Sequence, residues 1–160
     1  MKTTFRELQS CRPCKDGWSL LCNNILKTDF PEYPESWNKC QLTDEQLDTE
    51  VSILEILESN GVKDAFWAFQ TQKYRDYCLI LADIVESVLH IWEERYPNDN
   101  RPRLAVETIR KWYCGEATDK ELRNAAAAVA VVGGAGAVTY ASKKQWEVNE
   151  KILRNHLGVD

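Results

Sequence analysis

Between Lys73 and Tyr96 the apolar residues Tyr77, Leu81, Ile84, Val88 and Ile91 recur at spacings of four and three, and Tyr74, Cys78, Val85, Leu89 and Trp92 widen the stripe. Only an α-helix places such positions on one face, and a face this broad belongs to a helix covered from more than one side. The pattern predicts a long central helix, stopped by Pro97, around which other helices pack. Its opposite face carries Asp76, Asp83, Glu86, His90, Glu93 and Glu94.

The rest of the chain reads as shorter helical pieces. Trp18, Leu21, Cys22, Ile25 and Leu26 fall on one helical face, and Phe5 with Leu8 suggests a helical turn before it. Residues 28–42 hold Pro31 and Pro34 and little periodicity, so they read as an irregular connection anchored by Tyr33 and Trp37. Thr43-Asp44-Glu45-Gln46 matches a capping box, in which hydroxyl and amide side chains satisfy each other's helix-end donors. The helix it opens is expected to hold Leu47, Val51, Leu54 and Leu57 inward and to stop at Asn60-Gly61.

A short aromatic helix follows, with Val62, Ala65, Phe66 and Phe69 on one face. Pro102 suits the start of the next helix and Gly115 its left-handed stop, with Ala105, Ile109 and Trp112 inward and Glu107 four residues before Lys111. Thr118-Asp119-Lys120-Glu121 is a second capping box. From it a helix could run past the alanines to Trp146, Leu153 and Leu157 and end at Gly158. No strand pair and no hairpin turn is legible. The expectation is an all-α single domain over residues 1–160, with six or seven helices and a long or kinked Ala/Gly-rich C-terminal helix.

A formal charge of −5 argues against a general nucleic-acid binder and suits a basic protein partner. Met1-Lys2-Thr3-Thr4-Phe5-Arg6-Glu7 lacks the apolar core of an export signal, so a cytoplasmic protein with reduced thiols is expected. Cys78 and Cys114 read as small buried hydrophobes. Cys11-x2-Cys14 supplies half of a tetrahedral zinc site, and Cys22 and Cys40 are the only nearby thiols to complete it. They are the candidate metal ligands, against a favoured reading as structural thiols with no cofactor.

Three other patterns invite a chemical reading. Ala128 to Val138 imitates a strand entering a glycine-rich nucleotide turn, but Thr139 stands where a third small residue belongs and no second strand follows. The stretch from Asn124 to Ser142 is uncharged, yet Ala and Gly carry little of the transfer energy a membrane span needs. Asp83, Glu86 and His90 resemble half of a carboxylate-bridged metal site without the Glu-x-x-His motifs of its other half. No enzyme chemistry is expected. The acidic row Asp76, Asp83, Glu86, Glu93 and Glu94 is instead the candidate contact surface for a protein.

Certain blocks carry a family resemblance: Ser59 to Phe69, then Tyr74-Arg75, then Glu94 to Arg103, with Ala105, Glu107, Trp112, Gly115 and the alanine run. Over about residues 50 to 145 the chain resembles helical bacterial and phage proteins known as putative immunity proteins. Their motif is a D-x-R-P core, here Asp99, Arg101 and Pro102 with Arg103, followed by a helix, an aromatic, a glycine and alanines. The resemblance implies a protein that binds and neutralises a toxin, and an acidic inhibitor suits a basic toxin. Other readings stay open: a phage-encoded accessory protein that inhibits a host defence factor, or a zinc-binding helical protein. Asp99 is expected to cap its helix while Arg101 or Arg103 pairs with an acid. An alanine-glycine face also suits a homodimer.

Overall fold

The structure, a computed structural model, describes residues 1–32, 35, 41–133 and 143–159. These form two compact units, Met1–Lys73 and Tyr74–Asp160. The first begins with strand β1 (Lys2–Thr4), then helices α1 (Phe5–Ser10) and α2 (Lys15–Leu26). After the connection come α3 (Asp44–Leu47), strand β2 (Glu50–Ser52), α4 (Ile53–Asn60), α5 (Val62–Trp67) and a 3₁₀ turn at Ala68–Thr71. The second holds α6 (Tyr74–Arg95), α7 (Arg101–Tyr113), α8 (Asp119–Gly133) and α9 (Lys143–Leu157). The all-helical expectation holds apart from one small sheet.

That sheet corrects the sequence reading. β1 and β2 pair antiparallel, with Thr3 opposite Val51, and both of these residues are buried. The helix expected from Thr43 to Asn60 is therefore two helices with a strand between them. Thr43 and Gln46 form the expected capping box, but α3 lasts only one turn. Ser52 and Glu55 then make a second box that starts α4, the serine hydroxyl accepting from the Glu55 amide at 3.1 Å. Val51 points into the core from a strand, and Ile53, Ile56 and Leu57 do so from α4. A third box, Thr4 with Glu7, turns β1 directly into α1.

The core of the first unit gathers Phe5, Leu8, Trp18, Cys22, Ile53 and Ile56. Phe5 meets Trp18 edge to face at 5.8 Å, a geometry that aromatic quadrupoles favour. Asn23 orders the start of the connection: its side-chain oxygen accepts from Thr28 Oγ1 and the Phe30 amide, and its Nδ2 donates to the Phe30 carbonyl. Tyr33, Trp37 and Cys40 lie outside the described residues.

In the second unit α6 packs against both α7 and α9. Burial is accordingly divided around α6: Cys78, Ile80, Ala82 and Leu89 are buried, whereas Ile91, expected inward, is 50% exposed. Pro102, Ala105 and Val106 are buried on α7, and Leu153 and Asn149 on α9. Cys114, read as a buried hydrophobe, is exposed just past α7. Gly115 takes φ +81°, and the amides of Gly115 and Glu116 bond back to the carbonyls of Trp112 and Lys111 at 3.0 and 2.8 Å. That is the paired closure of a Schellman turn, and it needs a residue at ease with positive φ. Thr118 and Glu121 form the box expected at the start of α8. Residues 134–142, which include Gly134, Gly136 and Thr139, lie outside the described residues, so the expected continuous or kinked C-terminal helix does too.

Candidate protein-binding face

α6 presents the acidic row, and α7 presents the arginines of the D-x-R-P block. Arg103 Nε and Nη2 donate to the two oxygens of Glu93 at 2.6 and 2.8 Å. Arg110 Nη2 donates to Asp83 at 2.6 Å and to Glu86 at 2.5 Å. From α9, His156 Nε2 lies 2.8 Å from the other Asp83 oxygen. Three of the five candidate contact carboxylates are thus joined to cations within the unit, while Asp76 and Glu94 stand exposed.

The pairings leave an electrostatic imprint. Hydrogen bonds from Arg103 hold the Glu93 carboxyl below its ordinary range. For Asp83 partial burial pushes the pKa up, but the hydrogen bonds of His156 and Arg110 together outweigh it and the net shift is downward. The Arg110 guanidinium is held charged by Glu86 first and Asp83 second.

The motif residues do local work. Asp99 accepts the backbone amide of Arg101 at 3.2 Å and both ends of its guanidinium at 2.8 Å. Asn100 is the formal cap residue of α7 but makes no capping hydrogen bond with its side chain. Asp99 therefore serves the helix start as expected, and both Arg101 and Arg103 have acidic partners. Pro102 is buried within the first turn of α7, and Glu107 is exposed on the outer side. Trp112 donates its indole N–H to Asp119 at 2.7 Å, tying the end of α7 to the start of α8.

A second cluster joins residues whose meeting the sequence did not display. Arg75 lies over the rings of Trp112 and Tyr113, at 5.3 and 5.4 Å, and donates to the Tyr113 carbonyl at 2.7 Å. Tyr74 packs on Trp112 at 5.8 Å, and Tyr113 is 40% exposed. Tyrosine, tryptophan and arginine held rigidly at a surface are the residue types that dominate protein interfaces. The sequence marked Tyr74, Arg75 and Trp112 only as residues of the family resemblance, with nothing to show that they meet.

Of the candidate metal ligands, three lie among the described residues. Cys14 is exposed at the start of α2, where its sulfur accepts the Gly17 amide at 3.3 Å; Cys11 is half-buried and Cys22 fully buried. Cys40 lies outside the described residues. Among the described residues no three His, Cys, Asp or Glu side chains are grouped closely enough to hold a metal ion. Nor, among them, is any helix long and apolar enough to cross a membrane.

No curated protein and no solved structure matches the chain. Residues 68–133, which carry the acidic row, the motif arginines, the aromatic cluster and the start of the alanine run, match the model of the family described as Imm-5 like putative immunity protein.

Proposed function

We propose that the chain is a non-catalytic inhibitor that binds a protein toxin directly and neutralises it inside the cell that makes both. The observation that carries this reading is the family match over residues 68–133. The surface agrees with it. On the α6 side three carboxylates, Asp83, Glu86 and Glu93, share two guanidiniums, those of Arg103 and Arg110, so the seam keeps negative charge. Asp76 and Glu94 add to it. A fixed acidic row steers a basic partner and sets its orientation, and the rigid aromatic cluster beside Arg75 supplies area that costs little entropy to bury.

In this reading the arginines of α7 preorganise the acidic row instead of meeting the partner. Co-expression of the chain with a toxin encoded beside its own gene tests the proposal. Growth should be restored by the native chain and lost again when Asp76 and Glu94 are both changed to lysine. Unrelieved toxicity with the native chain, coupled to capture of a host defence factor, would replace the toxin by that factor as the target.

A further inference from the structure

The chain has two histidines, and both stand against the acidic row of α6. His156 reaches it from α9, with Nε2 2.8 Å from Asp83 Oδ2. Arg110 of α7 holds the other oxygen of that carboxylate at 2.6 Å and bonds Glu86 as well. Two carboxylates, one guanidinium and one imidazole therefore meet where α6, α7 and α9 come together. An ionised carboxylate only accepts, so the Nε2 facing Asp83 carries a hydrogen whether the ring is neutral or charged. The contact persists in both states, and what a second proton changes is the charge.

His90 lies on α6 itself and is exposed, with Glu86 one turn before it and Glu93 and Glu94 one turn after. Glu93, held below its ordinary range first by the Arg103 hydrogen bond, also feels the charge of His90. From α7 this stretch meets Arg103, already on Glu93, and Glu107, whose charge reaches Arg103. The other nearby cations are engaged: Arg154 of α9 pairs with Glu150, and Arg75 and Arg95 of α6 lie over aromatic rings.

The five carboxylates of the row against the guanidiniums of Arg103 and Arg110 leave three negative charges in excess, and two imidazolium charges would cut that excess to one. Histidine is the side chain whose ordinary titration falls between about pH 5 and 8, whereas carboxylates ordinarily stay ionised down to about pH 4 to 5. Across the range from about pH 7.5 to about pH 5.5 the imidazoles are thus the groups of the row that change charge.

We propose that His90 and His156 make the row's hold on a basic protein partner pH-dependent, full near about pH 7.5 and weakened near about pH 5.5 as the imidazoles take up protons and offset the carboxylates. The inference rests on the toxin-binding reading, whose contact surface it regulates. His156 lies outside the residues that match the immunity family, so half of the device lies beyond the matched stretch.

The test has two parts. Imidazole resonances of the full chain, followed by NMR from about pH 8 to about pH 5, should show both rings gaining a proton within that range. Rings that do not titrate there overturn the proposal whatever the partner. The affinity of the native chain for a protein toxin found encoded beside its gene is then measured at low salt, and should fall by roughly tenfold or more between about pH 7.5 and about pH 5.5. His90→Gln combined with His156→Gln should lose much less, because glutamine still offers an N–H to Asp83 but takes up no proton. His90→Gln alone, at an exposed position, should remove part of the pH effect, and thermal melts at both pH values check that each variant is folded. Equal affinity of the native chain at both pH values, or an equal loss in native chain and variants, overturns the proposal alone. No binding at either pH overturns the toxin-binding reading itself.

Discussion

Arg103 on α7 grips Glu93 on α6 through two parallel hydrogen bonds, 2.6 and 2.8 Å long. The first residue belongs to the D-x-R-P block and the second to the acidic row of the central helix. Two features that look like separate functional candidates in sequence are thus halves of one seam. Exchanging the charges tests the relationship. Arg103→Glu alone sets two carboxylates against each other and should lower the Tm, and adding Glu93→Arg should recover most of the loss. If the loss in the double variant equals the sum of the two single losses, the pair contributes nothing as a pair.

The strand-to-helix junction at Ser52 rests on its capping box, in which Glu55 accepts the Ser52 amide at 2.8 Å and the Ser52 hydroxyl at 2.7 Å. Ser52→Ala removes the hydroxyl and should cost about 1 kcal/mol of stability, measured by urea unfolding. A change below the error of the measurement would mean that tertiary packing alone fixes the start of α4.

Gly115 has open space around the position of an added Cβ, so a substitution there is resisted by backbone conformation alone. With φ at +81°, Gly115→Ala should destabilise by about 1 kcal/mol and Gly115→Asn by less, because asparagine tolerates positive φ better. Equal effects from the two substitutions would show that the turn rearranges.

Acid sensitivity follows from Asp83. Burial raises its pKa, but the bonds from His156 and Arg110 carry the net value below the ordinary 3.8. A carboxyl depressed in the folded state contributes stability that is complete above the ordinary value and is lost as pH falls through the folded one. Glu7 and Glu55 add the same sign: Thr3 and Thr4 hold the first below the ordinary 4.5, and the Ser52 amide and hydroxyl hold the second. Stability should therefore be level from about pH 7 down to about pH 5 and fall steeply below about pH 4. Asp83→Asn should be less stable at neutral pH and show a shallower acid limb. An unchanged limb would place the acid transition elsewhere.

Much of the fold is legible because its signals are local. The face of α2, the boxes at Thr43 and Thr118 and the stop at Gly115 each depend on residues within one turn. The junction at Ser52 was also local, as Ser-x-x-Glu, but Val51 stands four residues after Leu47 and so imitates a continuing helix. What the sequence cannot display is the pairing of Thr3 with Val51 across the chain, since three-residue strands carry no period of their own. The site divides in the same way. Charge and family motif marked Asp83, Glu86, Glu93, Arg101 and Arg103, but that α7 arginines neutralise α6 carboxylates depends on how two helices cross. The burial of Ile80 and the exposure of Ile91 have the same origin, since α6 is covered by α7 and α9 on different sides.

The most direct test of direct inhibition is a calorimetric titration of the purified chain into any protein toxin found encoded beside its gene, with toxin activity assayed on the same samples at low and high salt. The account predicts a one-to-one complex whose formation abolishes toxin activity. It also predicts an affinity that falls as salt rises, and falls further when Asp76 and Glu94 are replaced by lysine. Full toxin activity in the presence of excess chain, with no heat of binding at low salt, would contradict it.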